Sequence, residues 1–171
     1  MATIVLVGVP GAGKTTVGKL LADSLKQEFF DSDQVIETRV GKSVSDIFTQ
    51  DGESVFRSLE HDVIIQLLQD SSGVLALGGG ALGNADTRSA VKGATAVWLV
   101  AGLAQAVDRV GMNRNRPLLL GNVRGQLAEL MTAREPLYKE VATIVIDTSK
   151  LSPGEVVSHI LTELKAVGAS S

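Results

Sequence analysis

An aliphatic, β-branched run at residues 3–7 breaks into Gly8-Val9-Pro10-Gly11-Ala12-Gly13-Lys14-Thr15 and then into a helical pattern. Few local sequences restrict a fold more. The run has the length and composition of a strand buried on both faces. The glycines let successive N–H groups turn inward around an anion. A helix beginning at Lys14 aims the positive end of its dipole at the same point. The pattern is G-x-x-x-x-G-K-[ST], in which the lysine reaches the outer phosphates of a nucleotide and the hydroxyl can ligate Mg2+. In a chain of 171 residues, chance gives such a match at a rate on the order of one per cent. The flanking strand and helix are the context the pattern requires, so an ordinary strand–turn–helix is much the weaker reading.

The alternation continues along the chain. Helical spacing covers 14–27, with Val17, Leu20, Leu21 and Leu25 on one stripe, and a short strand over 28–30 runs into Asp31-Ser32-Asp33. A helix through Val35, Ile36 and Val40 stops at Gly41, and Ser43-x-x-Asp46 reads as another start. Residues 53–69 form an amphipathic helix on Phe56, Leu59, Val63, Ile64, Leu67 and Leu68. Strands follow at 74–77, 95–100 and 143–146, and helices at 84–91, 103–110 and 126–134. Ser152-Pro153-Gly154-Glu155 combines an N-cap, Pro at the first helical position and Glu at the third, and the last helix ends near Val167. Strands alternating with helices predict a single domain over 1–171, a three-layer α/β/α fold on a parallel sheet. Sites in such sheets lie beyond the carboxyl ends of the strands, where 8–13, 31–33 and 78–80 all fall.

Composition narrows the chemistry. There is no Cys, which excludes disulfides, thiolate metal sites and a thiol nucleophile. Sixteen Lys and Arg against 19 Asp and Glu give a net charge of −3, an argument against a general nucleic-acid partner. No apolar stretch reaches the length of a membrane span, and the first residues lack an export pattern. The expectation is a monomer in the cytoplasm with no membrane or nucleic-acid partner. The basic residues are nonetheless uneven: Arg109, Arg114, Arg116, Arg124 and Arg134 face only Glu129 across that segment, a place to meet anions.

Asp31 and Asp33 stand two apart at a strand end, so extended geometry predicts that both point to one side. One could hold Mg2+ through water and the other accept a hydroxyl proton; a solvated turn is the alternative. Arg57 and Glu60 sit one helical turn apart. From spacing alone a surface ion pair is favoured narrowly over an Arg fork for a carboxylate. Gly78-Gly79-Gly80 would let a ligand approach the backbone closely, or serve only as a joint. Arg114 and Arg116 lie between Gly111 and Gly125, as in a solvated loop or a lid that reaches a transferring phosphoryl group. His61 and His159 have no second ligand at metal spacing and read as structural or surface residues.

Taken together, GVPGAGKTT, FFDSD, DGESVFRSLE, LGGGA, RNRPLL and AREPLY resemble shikimate kinases, small P-loop kinases of the nucleoside-monophosphate-kinase-like group, from about Ile4 to Leu164. The resemblance implies a five-stranded parallel sheet in the order 2-3-1-4-5, a substrate-binding subdomain at about 33–60 and a mobile lid at about 111–124. It implies transfer of the ATP γ-phosphate to shikimate, with Mg2+. ATP would lie on Gly11, Ala12, Gly13, Lys14, Thr15 and Thr16. Arg109 would stack on adenine, with the loop at Pro153 on its other side. Shikimate would meet Asp33, Arg57, Arg134 and the segment Gly78, Gly79, Gly80. Asp33 would be the base, and Lys14 and Arg116 would flank the transferring group. Thr15 would bind Mg2+ directly and Asp31 through water. Ser32 stands where Thr is usual in these kinases, and Leu151 where Arg is. The rivals are another hydroxy-acid kinase, such as a gluconate kinase, and a nucleotide-binding module without catalysis.

Overall fold

The computed structural model describes residues 3–111 and 122–169. Its strands are β1 (Ile4–Val7), β2 (Glu28–Asp31), β3 (Gly73–Ala76), β4 (Thr95–Val100) and β5 (Ile144–Asp147). Its helices are α1 (Lys14–Leu25), α2 (Ser32–Val40), α3 (Val44–Asp46), α4 (Glu53–Asp70), α5 (Ala85–Lys92), α6 (Leu103–Gly111), α7 (Val123–Val141) and α8 (Pro153–Ala169). The strands form one sheet in the order β2-β3-β1-β4-β5, every neighbouring pair parallel. All residues of β1 and β3 are buried, as strands covered by helices on both faces must be. α1 and α8 pack together in one layer, and α4, α5 and α7 follow one another in the second. The expected architecture and strand order are therefore present. The order brings the ends of β2, β3 and β1 side by side, and with them the three loops singled out above.

Several boundaries differ for local reasons. α1 ends at Leu25 because Lys26 adopts a left-handed conformation (φ 55°) and returns its N–H to Ala22 and Asp23. Leu20 is 40% exposed, so the buried stripe of α1 runs through Val17, Leu21 and Ala22 instead. Gly18 sits so tightly on the sheet that a Cβ there would overlap the Phe29 ring. Ser43 does cap a helix, its Oγ accepting from Asp46 N at 3.0 Å. That helix lasts one turn and widens into a π-turn, Ile47–Asp51.

α7 departs most. It starts at Val123, where Asn122 Oδ1 accepts from Gly125 N at 3.1 Å, and it continues past Arg134 and through Pro136 to Val141. A mid-helix proline costs about 3 kcal/mol through its missing donor and its clash. Leu127, Tyr138 and Val141 are all buried on this helix, and the apolar area they remove from water outweighs that penalty. Two helix starts are capped by side chains. Asn84 Oδ1 accepts from Asp86 N and Thr87 N. Ser152 and Glu155 exchange side-chain-to-backbone bonds at 3.2 and 3.0 Å, a closed capping box.

Candidate active site

The loop after β1 makes an anion cradle. Gly11 and Gly13 have φ of 84° and 92°, a region that favours glycine. Ala12 N bonds Val9 O at 3.1 Å and closes the turn. The N terminus of α1 has no side-chain cap and no acidic residue in its first turn. An anion arriving there meets the positive end of the helix dipole with no side-chain cap in competition. Lys14 Nζ lies over the loop, donating to Gly8 O at 2.6 Å and Val9 O at 3.0 Å.

Beside the cradle, Thr15 Oγ1 donates to Asp31 Oδ2 at 3.3 Å. Asp31 Oδ1 accepts from Asp33 N and Gln34 N at 3.0 and 3.3 Å, which caps α2. The chain thus becomes helical at Ser32, and the extended Asp31–Asp33 pair expected from sequence does not form. Both aspartates still line the same cleft, Asp31 from the strand end and Asp33 from the first helical turn. A hydroxyl and a carboxylate this close are hard oxygen donors. Among the described residues no group of three or more His, Cys, Asp or Glu could hold a metal ion. That sparse set suits Mg2+, which keeps waters and phosphate oxygens in its shell.

The glycine triplet after β3 is a template for the side chains that converge on it. A Cβ on Gly78 would lie 2.7 Å from Asp33 Oδ1 and 3.0 Å from Glu60 Oε2. On Gly79 it would lie 2.9 Å from Arg134 Nη1 and 3.0 Å from Pro10 Cδ; on Gly80, 2.9 Å from Arg57 Nη1. No larger residue fits without displacing these groups. Gly78 N donates to Ser32 Oγ at 3.0 Å, so the serine hydroxyl ties this segment to the start of α2. Among the described residues, the Gly79 and Gly80 N–H groups find no acceptor, although they lie between two guanidinium groups. Paired donors flanked by two cations suit a carboxylate and its neighbouring hydroxyls.

Arg57 is not the surface pair that its spacing favoured. Its Nη1 donates to Glu60 Oε1 at 2.8 Å, and Glu60 is only 2% exposed. Its Nε lies 3.5 Å from Glu53 Oε1, and its Cζ lies 5.9 and 5.3 Å from the Phe48 and Phe56 ring centroids. The π-turn delivers Phe48 to this cage. Burial pushes the Glu60 carboxyl up to about 7. Arg57 pulls against that shift, and the charge of Asp33 adds to it.

At the opposite end of the cleft, Arg109 Nη1 donates to Gly11 O at 3.0 Å and lies against Gly13. Arg109 thus rests on the phosphate loop. Thr148, Leu151, Pro153 and Val156 line the wall there. Leu151 also packs against the hydrophobic core, so it contributes apolar surface to that wall. The cleft encloses about 310 Å3 and runs continuously from Asp33, Gly78 and Gly79 past Lys14, Thr15 and Thr16 to Arg109.

All the site residues singled out from sequence therefore gather beyond the carboxyl ends of the strands, apart from Arg116, which with Arg114 lies outside the described residues. His61 is structural, its Nδ1 lying 2.7 Å from Thr87 Oγ1, and His159 is exposed. Sequence reasoning missed the buried Tyr138, whose hydroxyl donates to Gly79 O at 3.2 Å. Its place in AREPLY, one turn beyond Arg134, was the available signal.

A parallel sheet in this order, with the loop and lysine of a nucleotide-binding cradle beside a polar acceptor pocket, defines a P-loop phosphotransferase. A sequence model described as shikimate kinase matches residues 10–165. The shikimate kinase of Thermobifida fusca is 48% identical over 164 residues, covering 96% of this chain and 95% of that one. That of Mycobacterium tuberculosis is 47% identical over 167 residues, covering 97% and 95%. The solved shikimate kinase of Acinetobacter baumannii, in complex with shikimate, superposes with a TM-score of 0.94 at 38% identity, covering 97% and 94%. The chain belongs to the shikimate kinase family. It is a kinase that uses ATP and Mg2+, and the family's reaction turns shikimate and ATP into 3-phosphoshikimate and ADP.

Proposed function

We propose that this cleft carries out the family's reaction with the following division of labour. The phosphates of ATP lie on Gly11, Ala12, Gly13, Lys14, Thr15 and Thr16, and the nucleoside lies between Arg109 and Pro153. The carboxylate of shikimate is clamped by Arg57 and Arg134, and the ring is held over Gly78, Gly79 and Gly80. The Asp33 carboxylate accepts the proton of the 3-hydroxyl as its oxygen bonds to the γ-phosphorus. The bond from that phosphorus to the β–γ bridging oxygen breaks, and ADP leaves with the electron pair. Lys14 offsets the charge that develops on the transferring group. Thr15, and Asp31 through water, would hold Mg2+, which supplies charge neutralisation on the phosphates. Arg116 serves from a lid at about 111–124, and residues 33–60 form the acceptor lobe. The chain acts as a monomer in the cytoplasm, without nucleic-acid or membrane partners.

One observation supports this reading above the others: successive glycines abut Asp33, Arg134 and Arg57 within the cleft that holds the phosphate loop. The test is a coupled ADP-release assay across shikimate, gluconate and nucleoside monophosphates, with Asp33→Ala and Arg57→Ala. Turnover of shikimate alone, with both variants reduced at least a hundredfold in kcat/KM, is the expected result. Gluconate turnover without shikimate turnover would reverse the acceptor. ATP binding without turnover of any acceptor would leave a nucleotide-binding module.

A further inference from the structure

We infer that the Tyr138 hydroxyl is a positioning group for acceptor binding: it fixes the Gly79–Gly80 peptide plane and the Arg134 guanidinium from behind the site. The inference rests on the acceptor reading above, since both groups it touches are assigned to shikimate. Tyr138 is 2% exposed, and its ring packs on Trp98 of β4 with centroids 5.7 Å apart. A phenol so placed needs a partner for its hydroxyl. It donates to Gly79 O at 3.2 Å. The guanidinium of Arg134, four residues earlier on α7, acts on the Tyr138 hydroxyl itself.

The geometry gives this bond a purpose. In a trans peptide the C=O of Gly79 and the N–H of Gly80 point in opposite directions. Holding the carbonyl toward α7 therefore holds the Gly80 N–H away from α7. Glycine gives the segment wide conformational freedom, so its peptide plane is not set by its own side chains. The neighbours at both ends are already fixed. Gly78 N is taken by Ser32 Oγ, and Ala81 N donates to Gly78 O at 3.1 Å. Tyr138 supplies the remaining restraint. Arg134 in turn sits 2.9 Å from where a Gly79 Cβ would be, so hydroxyl, guanidinium and peptide form one contact unit. Burial pushes the phenol up to about 12, which keeps it a neutral donor throughout the pH range in which the enzyme is assayed.

Tyr138→Phe removes the hydroxyl and keeps the ring against Trp98. The expected result is a shikimate KM raised about tenfold, the scale of one lost hydrogen bond with its partner left buried. The KM for ATP should stay within twofold, with kcat reduced less than the shikimate KM is raised. Combining it with Arg134→Lys should give less than the product of the two single effects, because the groups are coupled. An unchanged shikimate KM overturns the inference. So does an equal rise in both KM values with a lowered Tm, which marks general loosening. Multiplicative single effects overturn the shared unit. Wild-type turnover of shikimate in the same assay separates these outcomes from failure of the acceptor assignment itself.

Discussion

Glu60 provides a stability switch that can be read without any substrate. Its carboxyl is buried on α4, accepts one bond from Arg57 and faces Asp33 across Gly78, with Arg134 also acting on it. Burial raises it from 4.5 to about 7 in the folded protein. The native state therefore binds its proton more firmly than the unfolded chain does. The stabilisation is fully present below pH 4.5 and is lost as pH rises through about 7. A shift of that size corresponds to about 3 kcal/mol, or about 6–12 °C in Tm for a domain of this length. Glu60→Gln is neutral at every pH and lacks this dependence. Urea and thermal unfolding of both proteins between pH 4.5 and pH 7.5 should show the wild type losing about 3 kcal/mol relative to the variant. Glu140, Asp147 and Glu155 are held below their usual range by their hydrogen-bond partners and act with the opposite sign. They are common to both proteins and cancel in the difference. Parallel pH profiles would refute the reasoning, as would a wild type that gains stability relative to the variant.

Asp31→Asn separates capping from metal binding. Asparagine caps a helix as well as aspartate, so urea stability should stay within about 0.5 kcal/mol, while the Mg2+ concentration for half-maximal activity rises on the order of tenfold with the lost charge. An unchanged Mg2+ requirement would remove Asp31 from the metal site. Gly18→Ala should destabilise by about 1–3 kcal/mol despite the better helix propensity of alanine, because the new methyl overlaps the Phe29 ring and approaches Leu6 Cδ1 at 3.2 Å. A raised urea midpoint would mean that the ring yields freely.

The parts legible in sequence were those whose physics is local. The phosphate loop is specified by its own glycines, lysine and threonine, and strand–helix alternation sets the layer architecture. The caps at Asn84 and Ser152 follow from side chains within three residues of the bonds they make. Where several segments meet, spacing was silent or misleading. Arg57 and Glu60 have the separation of a solvated pair, and only the packing of α4 on the sheet buries the carboxylate. Asp31 and Asp33 looked extended because the capping bond that starts α2 competes with the strand at a boundary periodicity does not mark. The helix expected over 126–134 runs on through Pro136, because residues buried beyond it carry α7 onward. Tyr138 drew no reading of its own, since nothing near it in sequence reveals that its hydroxyl faces a glycine carbonyl 59 positions away. The roles of Ser32 and Leu151 likewise depend on which distant backbone they meet.

The three glycines after β3 work as a ruler. Their alpha carbons seat groups from three helices: α2 and α4 on the first, α7 on the second, α4 again on the third. What is measured is therefore the number of residues between Ala76 and Ala81, as much as their kind. Deleting one would hand every seated side chain its neighbour's place, separating both cations and the aspartate from the phosphate loop in a single step. Sequence drift can proceed around this stretch by substitution, but its length is closed to change unless three helices shift together.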